Sequence, residues 1–286
     1  MALIIDGKKI AADIVSEIRL ESEKLDIKPG LVVILVGEDP ASAIYVRNKE
    51  RACEKAGFYH KTYKLPETTT QDQLISLLGE LKDDCDVHGI IVQLPLPKHI
   101  NEETVINAIP LNKDVDCFHP LNVGQILTKK KGNTPALVVP CTPAGIIELL
   151  DRYKVQISGK NAIIVGRSNI VGKPLALMLL NRDATVTISH SRTKDLGDIL
   201  RRADIVVAAV GVPRLIKEDM IKEGAVVIDV GTNRLDTGEL VGDVDFEKIK
   251  DKVFAITPVP GGVGPMTIAM LLKNTLLMAK RIKSCE

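Results

Sequence analysis

A tyrosine and a lysine stand four residues apart in Tyr45-Val-Arg-Asn-Lys49, a spacing that on a helix puts both side chains on one face. A phenol and a primary amine turned into one pocket can hold a planar ligand and move a proton. The apolar run at 31–36 reads as a parallel strand, and Gly37-Glu-Asp-Pro40 as the turn after its carboxyl end. Open α/β sheets take their ligands at that end. Taken alone, the segment reads more simply as a solvated helical face carrying Arg47, Glu50 and Arg51, with Tyr45 in the core. The rest of the chain argues for the pocket.

A second strand-like run, Gly89-Ile-Ile-Val-Gln-Leu-Pro-Leu-Pro97, carries one polar residue, Gln93, where a doubly covered strand is otherwise apolar. That side chain needs a partner, and an amine or phenol on a neighbouring element supplies one. Asn112-Lys-Asp-Val-Asp-Cys-Phe-His-Pro120 is a polar loop with two carboxylates. Thr257-Pro-Val-Pro-Gly-Gly-Val-Gly-Pro-Met-Thr267 reads as a stiff Pro/Gly loop whose glycines permit close backbone approach, or more plainly as a connector.

A third chemistry lies in the second half. Residues 161–165 followed by Gly166-Arg-Ser-Asn-Ile-Val-Gly172 and an apolar run at 175–180 give strand, tight turn and helix, the context of a dinucleotide loop. Ser168 stands in the second glycine's place, where its N–H and hydroxyl can both meet a phosphate at the positive end of the helix. The next strand, 185–189, runs into Ser189-His-Ser-Arg-Thr193 with no acid to accept from a ribose 2'-hydroxyl. Ser191, Arg192 and Arg167 suit a 2'-phosphate instead, so the expected cofactor is NADP. The plainer reading leaves Arg192 a surface arginine.

These sites need elements to position them. Alternating strand and helix signals predict parallel α/β architecture. In the first half strands are expected at 31–36, 59–65 and 89–94, with helices at 8–25, 41–57 and 70–81. Residues 120–141 read as loop-rich, and Pro143 marks the first turn of a helix over 144–153. Apolar runs at 162–165, 185–189, 205–210, 226–230 and 253–256 predict a doubly wound sheet of five strands. A closing helix from Thr267 to Lys283 places Ile268, Leu271, Leu272, Thr275, Leu276 and Ala279 on one stripe.

Composition narrows the function. The chain's 286 residues suffice for two domains, and 38 Lys+Arg against 37 Asp+Glu leave no electrostatic footprint for nucleic acid or an anionic membrane. The basic run Lys129-Lys-Lys131 reads as a solvated loop. No apolar run is long enough to span a bilayer and no signal peptide opens the chain, so a cytoplasmic protein is expected. Cysteines at 53, 85, 117, 141 and 285 are scattered and odd in number, which suits free thiols in a reducing compartment. With five histidines in no ligand spacing, no metal is expected, and no G-x-S-x-G elbow points to a triad hydrolase.

Five motifs in order, Tyr45 to Lys49, Gly89 to Pro97, Asn112 to Pro120, Gly166 to Pro174 and Thr257 to Thr267, give the chain a family likeness. It resembles the bifunctional methylenetetrahydrofolate dehydrogenase/methenyltetrahydrofolate cyclohydrolases from Ile5-Asp-Gly7 to the helix after Met266. The resemblance implies a two-domain α/β fold with a Rossmann-like parallel sheet in the second domain and an interdomain active-site cleft. It implies a folate-binding catalytic domain over 1–140, completed by the C-terminal helix 267–286, and an NADP-binding domain over 141–266. Tyr45, Lys49, Gln93 and Asp116 become the active-site counterparts, Gly262 and Pro265 join them in binding substrate, and Thr232 contacts the cofactor.

The implied reactions are oxidation of 5,10-methylenetetrahydrofolate with NADP and hydrolysis of the product to 10-formyltetrahydrofolate, within one-carbon metabolism and purine biosynthesis. Hydride transfer needs positioning. Water addition needs proton transfer, for which Lys49 is the candidate, its amine made neutral by burial beside a cationic intermediate and oriented by Gln93. Asp116 accepts two hydrogen bonds from the pterin edge and Tyr45 stacks on the ring. Cys117 departs from the family's usual glycine. A homodimer is implied too, consistent with an edge strand in the second sheet. The competing readings are another two-domain NADP oxidoreductase of the shikimate-dehydrogenase type, and a non-catalytic folate- or dinucleotide-binding protein.

Overall fold

A computed structural model describes residues 2–128 and 138–283, so the basic run at 129–131 and Cys285 lie outside the described residues. The described chain divides into two compact units, one of residues 2–11 and Thr142–Thr267, the other of Ala12–Thr128, 138–141 and 268–283.

In chain order the first elements are β1 (Leu3–Ile4), α1 (Gly7–Ser22), β2 (Gly30–Val36), α2 (Pro40–Ala56), β3 (Tyr59–Leu65), α3 (Gln71–Lys82), β4 (Gly89–Val92), α4 (Glu102–Ala108) and α5 (Pro120–Thr128). Strands β3, β2 and β4 make a parallel sheet in that order. Central β2 is buried at every residue, as an unbroken apolar run between covered faces demands. Helix α2 starts because Asp39 accepts from the Ser42 N–H at 2.7 Å and Pro40 needs no N–H donor in the first turn. It ends at Gly57, whose φ of 73° closes the last turn. Thr70 and Gln73 cap α3 reciprocally.

Two helices in this stretch correct the sequence reading. Helix α4 is too short for periodicity to show and is started by Asn101, which accepts from the Thr104 N–H at 2.8 Å. The segment from Pro120, expected as loop, is helical as α5. Its cause is Asp114, fully buried, whose carboxylate accepts from the N–H groups of Phe118 (3.2 Å) and His119 (3.0 Å) and from Asn122 Nδ2 (2.9 Å).

The second half runs α6 (Cys141–Arg152), β5 (Asn161–Val165), α7 (Gly172–Leu180), β6 (Thr185–Ser189), α8 (Leu196–Leu200), β7 (Ile205–Ala208), β8 (Val226–Asp229), β9 (Asn233–Arg234), β10 (Leu240–Val241), α9 (Phe246–Ile249), β11 (Ala255–Ile256) and α10 (Val263–Lys283). A six-stranded parallel sheet has the order β1-β11-β8-β7-β5-β6. The expected count was five. The sixth is β1, two residues long and so unreadable as a strand, which pairs Leu3 with Ala255 and Ile4 with Ile256. That pairing groups residues 2–11 with this unit, where the sequence reading had put them in the first domain. Helix α6 begins two residues before Pro143.

Helix α10 begins at Val263, so Gly264 and Pro265 lie in its first turn and the Pro/Gly loop is shorter than expected. Its later part belongs to the three-stranded unit, where Asn274 Nδ2 donates to Val115 O (2.8 Å) and Val139 O (2.9 Å). The predicted stripe is buried at Leu271, Leu272, Thr275, Leu276 and Ala279. Among the described residues no helix is long and apolar enough to cross a membrane.

Candidate active site

In the three-stranded unit the side chains meet at the carboxyl edge of the sheet. The Gln93 N–H donates to Ile34 O at 2.8 Å, which fixes Gln93 one residue past β4 beside the end of β2. Its Nε2 donates to Leu94 O at 2.8 Å, so Oε1 is the atom left to face α2. Lys49 Nζ donates to that oxygen at 2.9 Å. Tyr45, one turn earlier on α2, is 50% exposed and therefore open to a ligand, not core.

Asp116 follows the β4 side of the sheet, to which its loop is tied by the Ile90 N–H donating to Lys113 O at 2.7 Å. Burial holds its carboxyl above the ordinary range; the charge of Lys49 pulls the other way, and that of Asp114 adds to the rise. A carboxyl so placed keeps a strong demand for donors, which a bound ligand with paired N–H groups satisfies. The Cys141 thiol, which donates to Val115 O at 3.4 Å and stands beside Asp116, is a neighbour that sequence reading missed, since it lies 25 positions further along the chain. Cys117 is buried in the left-handed region, with φ 58°, which accounts for a position where glycine is usual.

In the six-stranded unit the strand order reverses between β5 and β7, and the expected residues stand on the loops at that carboxyl edge. Gly166 has φ 126°, and a Cβ there would meet Ala209 O at 2.2 Å. A Cβ on Gly172 would meet Gly166 O at 2.2 Å, so the turn closes only with glycine at both ends. Ser168 Oγ accepts from the N–H groups of Val171 (3.1 Å) and Gly172 (3.4 Å) at the entry to α7, which leaves its own hydrogen free to donate outward. Arg167, Ser191, Arg192 and Thr232 are exposed at the same edge. The residues fit a dinucleotide: backbone close enough for phosphates, a free hydroxyl donor, and an arginine with no carboxylate at the tip of β6.

The Pro/Gly loop is fixed locally. Thr257 Oγ1 accepts from the Asp229 N–H at 2.7 Å, the Lys8 N–H donates to Gly261 O at 2.9 Å, and Gly7 approaches so closely that a Cβ on it would meet Gly262 O at 1.8 Å. The Ile5-Asp-Gly7 motif thus has a physical reason. Sequence reading also missed two buried acids, Asp229 and Asp243, that bond to backbone N–H groups around β7 and β8. An acid ending an apolar run, as in Val226-Val-Ile-Asp229, was the available signal. Among the described residues no group of three ligating side chains is placed to hold a metal, and Cys53, Cys85, Cys117 and Cys141 are free thiols.

A nucleotide-type sheet edge in one unit, with a Lys-Gln-Asp cluster at the sheet edge of the other, is the equipment of a two-domain α/β oxidoreductase. Residues 5–116 match the family model of the tetrahydrofolate dehydrogenase/cyclohydrolase catalytic domain, and residues 140–283 that of the NAD(P)-binding domain of the same enzymes. The chain belongs to the tetrahydrofolate dehydrogenase/cyclohydrolase family.

It is 58% identical over 283 residues to the bifunctional protein FolD of Moorella thermoacetica, covering 98% of this chain and 99% of that one. The crystal structure of the bifunctional FolD enzyme from Campylobacter jejuni superposes with a TM-score of 0.95 at 48% identity, covering 98% and 99%. The Trypanosoma brucei methylenetetrahydrofolate dehydrogenase-cyclohydrolase, solved with NADP and an inhibitor, gives 0.93 at 43% identity, covering 98% of each chain.

Proposed function

We propose that the chain oxidises 5,10-methylenetetrahydrofolate to the methenyl form with NADP and then hydrolyses that product to 10-formyltetrahydrofolate. The observation that carries the reading is the Lys49 Nζ to Gln93 Oε1 bond of 2.9 Å beside Asp116, in a chain matched by both domain models of the family. Asp116 holds the pterin edge by paired hydrogen bonds and Tyr45 stacks on the ring. By the family likeness Gly262 and Pro265 also bind the substrate.

NADP supplies the acceptor for the hydride, with Gly166 and Ser168 at its pyrophosphate, Ser191, Arg192 and Arg167 at its 2'-phosphate and Thr232 at the end of β8. In the second reaction water adds to the methenyl carbon and Lys49 takes a proton from it; the bond from that carbon to N5 then breaks, N5 takes up a proton as it leaves, and the formyl group stays on N10, while Gln93 Oε1 keeps the amine aimed at the site. The alternatives, a binding protein without turnover and a different two-domain NADP oxidoreductase, find no support in either family model.

The proposal extends to a cytoplasmic homodimer. In support, β6 is an edge strand with Thr185, Thr187 and Ile188 exposed, a face that an isologous contact would cover. A monomer mass by sedimentation at micromolar protein would remove the dimer. The function itself is tested by supplying purified protein with methylenetetrahydrofolate and NADP, following reduced cofactor and loss of the methenyl product as separate signals. Neither signal rising above an enzyme-free control rejects the reading.

A further inference from the structure

Two buried carboxylates that take no part in the reactions are joined to the loops that border the cofactor edge. Asp243, fully buried, accepts from three successive N–H groups after β7: Val210 (2.7 Å) and Gly211 (3.0 Å) on Oδ2, and Val212 (2.9 Å) on Oδ1. Asn233 Nδ2 adds a fourth donor at 2.9 Å. Asp229, the last residue of β8, accepts from the N–H groups of Gly231 (3.0 Å), Asp243 (2.9 Å) and Val244 (2.9 Å). The two acids are therefore one device, Asp229 holding the backbone of Asp243 while Asp243 holds the loop.

Glycines make room for it. A Cβ on Gly242 would meet Asp229 Oδ2 at 1.8 Å, and one on Gly231 would meet Asp243 Oδ1 at 2.2 Å. The loop so held begins at Ala209, whose carbonyl oxygen lies in the space that a side chain on Gly166 would need. The position of the β7 loop thus sets the room available to the dinucleotide turn, and Gly231 sets the approach to Thr232.

We propose that Asp229 and Asp243 are positioning residues for the cofactor, acting through backbone N–H groups to set the loops at 209–212 and 230–232. The proposal deepens the reading of this edge as the NADP site and rests on it. An uncharged bracket would not do the same, because three adjacent N–H donors on one side chain need an acceptor with two oxygens.

The supporting titration concerns Asp229, whose carboxyl is raised to about 6 by burial, opposed by its bonds to Asp243, Val244 and Gly231. The charge of Asp243 adds to the rise. Across a cavity of about 350 Å3 that Asp229 lines it faces Arg214, Glu239, Asp245, Glu247 and Lys248, while β7 and the residue after β11 present Ala208 and Thr257. At neutral pH the carboxylate form holds its donors; as pH falls through about 6 it takes a proton and loses part of that hold.

The test uses Asp243→Asn, in which an amide NH2 replaces one acceptor. Because the chain has no tryptophan, binding is read from NADPH fluorescence. A rise of about tenfold in NADPH Kd and in the KM for NADP is expected, with dehydrogenase kcat recovering at saturating cofactor and methenyltetrahydrofolate hydrolysis within twofold of wild type. An unchanged Kd in a variant with a native melting transition overturns the proposal, and so does an equal loss of both activities.

Should Asp243→Asn fail to fold, the wild type and Asp229→Asn are compared over pH 5.5 to 7.5 with NAD, which has no 2'-phosphate of its own to titrate near pH 6. The wild-type KM should climb below about pH 6 and the variant's should be raised and flat; parallel profiles overturn the proposal. A wild type that binds NADPH but turns over no folate would sink the functional reading instead, and the binding measurement would still judge the two acids.

Discussion

The two ligand edges of this chain are built by opposite means. In the three-stranded unit the proposed chemistry rests on side chains at sheet and helix ends: Lys49 on Gln93, Tyr45 one turn before, Asp116 on a loop tied to β4. In the six-stranded unit it is carried by backbone, brought close by glycines at 166 and 172 and held by buried acids at 229 and 243. A side-chain site fails one reaction at a time when an atom is exchanged. A backbone site fails by losing affinity for whatever lies against it.

Lys49→Gln is the strongest way to break that contrast. Water addition needs a proton taken up and hydride transfer does not, so the two activities should separate. General acid-base groups contribute about a hundredfold to ten-thousandfold, so cyclohydrolase activity should fall by that order while dehydrogenase activity survives in substantial part and methenyl product accumulates. The measurement is methenyl absorbance beside reduced-cofactor absorbance in one cuvette. Wild-type hydrolysis by a folded variant would return Lys49 to the status of a solvated helical lysine.

Asp116→Ala removes the proposed anchor of the folate ring, which both reactions would share, and both should fall together by about a hundredfold while NADPH binding holds. The acid side of the pH profile carries the same information. With its carboxyl raised by burial, Asp116 takes a proton at a higher pH than an ordinary carboxylate, so both activities should decline together as pH falls, and the shared step should vanish in Asp116→Asn. Loss of one activity alone would show that the carboxylate serves a single step and does not hold the ring.

Arg192→Ala tests the other edge with a smaller effect. An exposed arginine on a phosphate is worth roughly one to two kcal/mol, so NADP should weaken about tenfold and NAD should scarcely change. Equal losses for both would place Arg192 at the shared part of the cofactor.

What could be read from the chain follows the same divide. Strand β3 matched its predicted limits because Gly57 and Pro66 punctuate the chain on either side of it, and Lys49 with Gln93 stood out because a polar residue in an apolar run needs a partner. Helix α5 did not show, since its start depends on Asp114 reaching Phe118 and His119 through the fold. Strand β1 is two residues long and exists by pairing with residues some 250 positions away. Asp229 and Asp243 escaped for a related reason: a carboxylate that bonds backbone leaves no spacing pattern.

The smallest expected effect is also the cleanest check on the first edge. Cys117 adopts φ 58°, a region that costs a residue with a Cβ about 1 kcal/mol and costs glycine nothing. Its side chain is fully buried with Sγ donating to Val138 O at 3.5 Å, so Cys117→Gly gives up roughly 1 kcal/mol of burial. Glycine also adds unfolded-chain entropy worth about 0.5–1 kcal/mol. The three contributions nearly cancel and leave the variant within about 1 kcal/mol of wild type, on the less stable side. Activity should not move at all, because the loop is set by Asp114 and by the Ile90 to Lys113 bond, neither of which involves the Cys117 side chain. Urea unfolding beside the two assays decides it: a changed folate KM in Cys117→Gly would mean that this side chain, and not the Asp114 bracket, fixes where Asp116 stands.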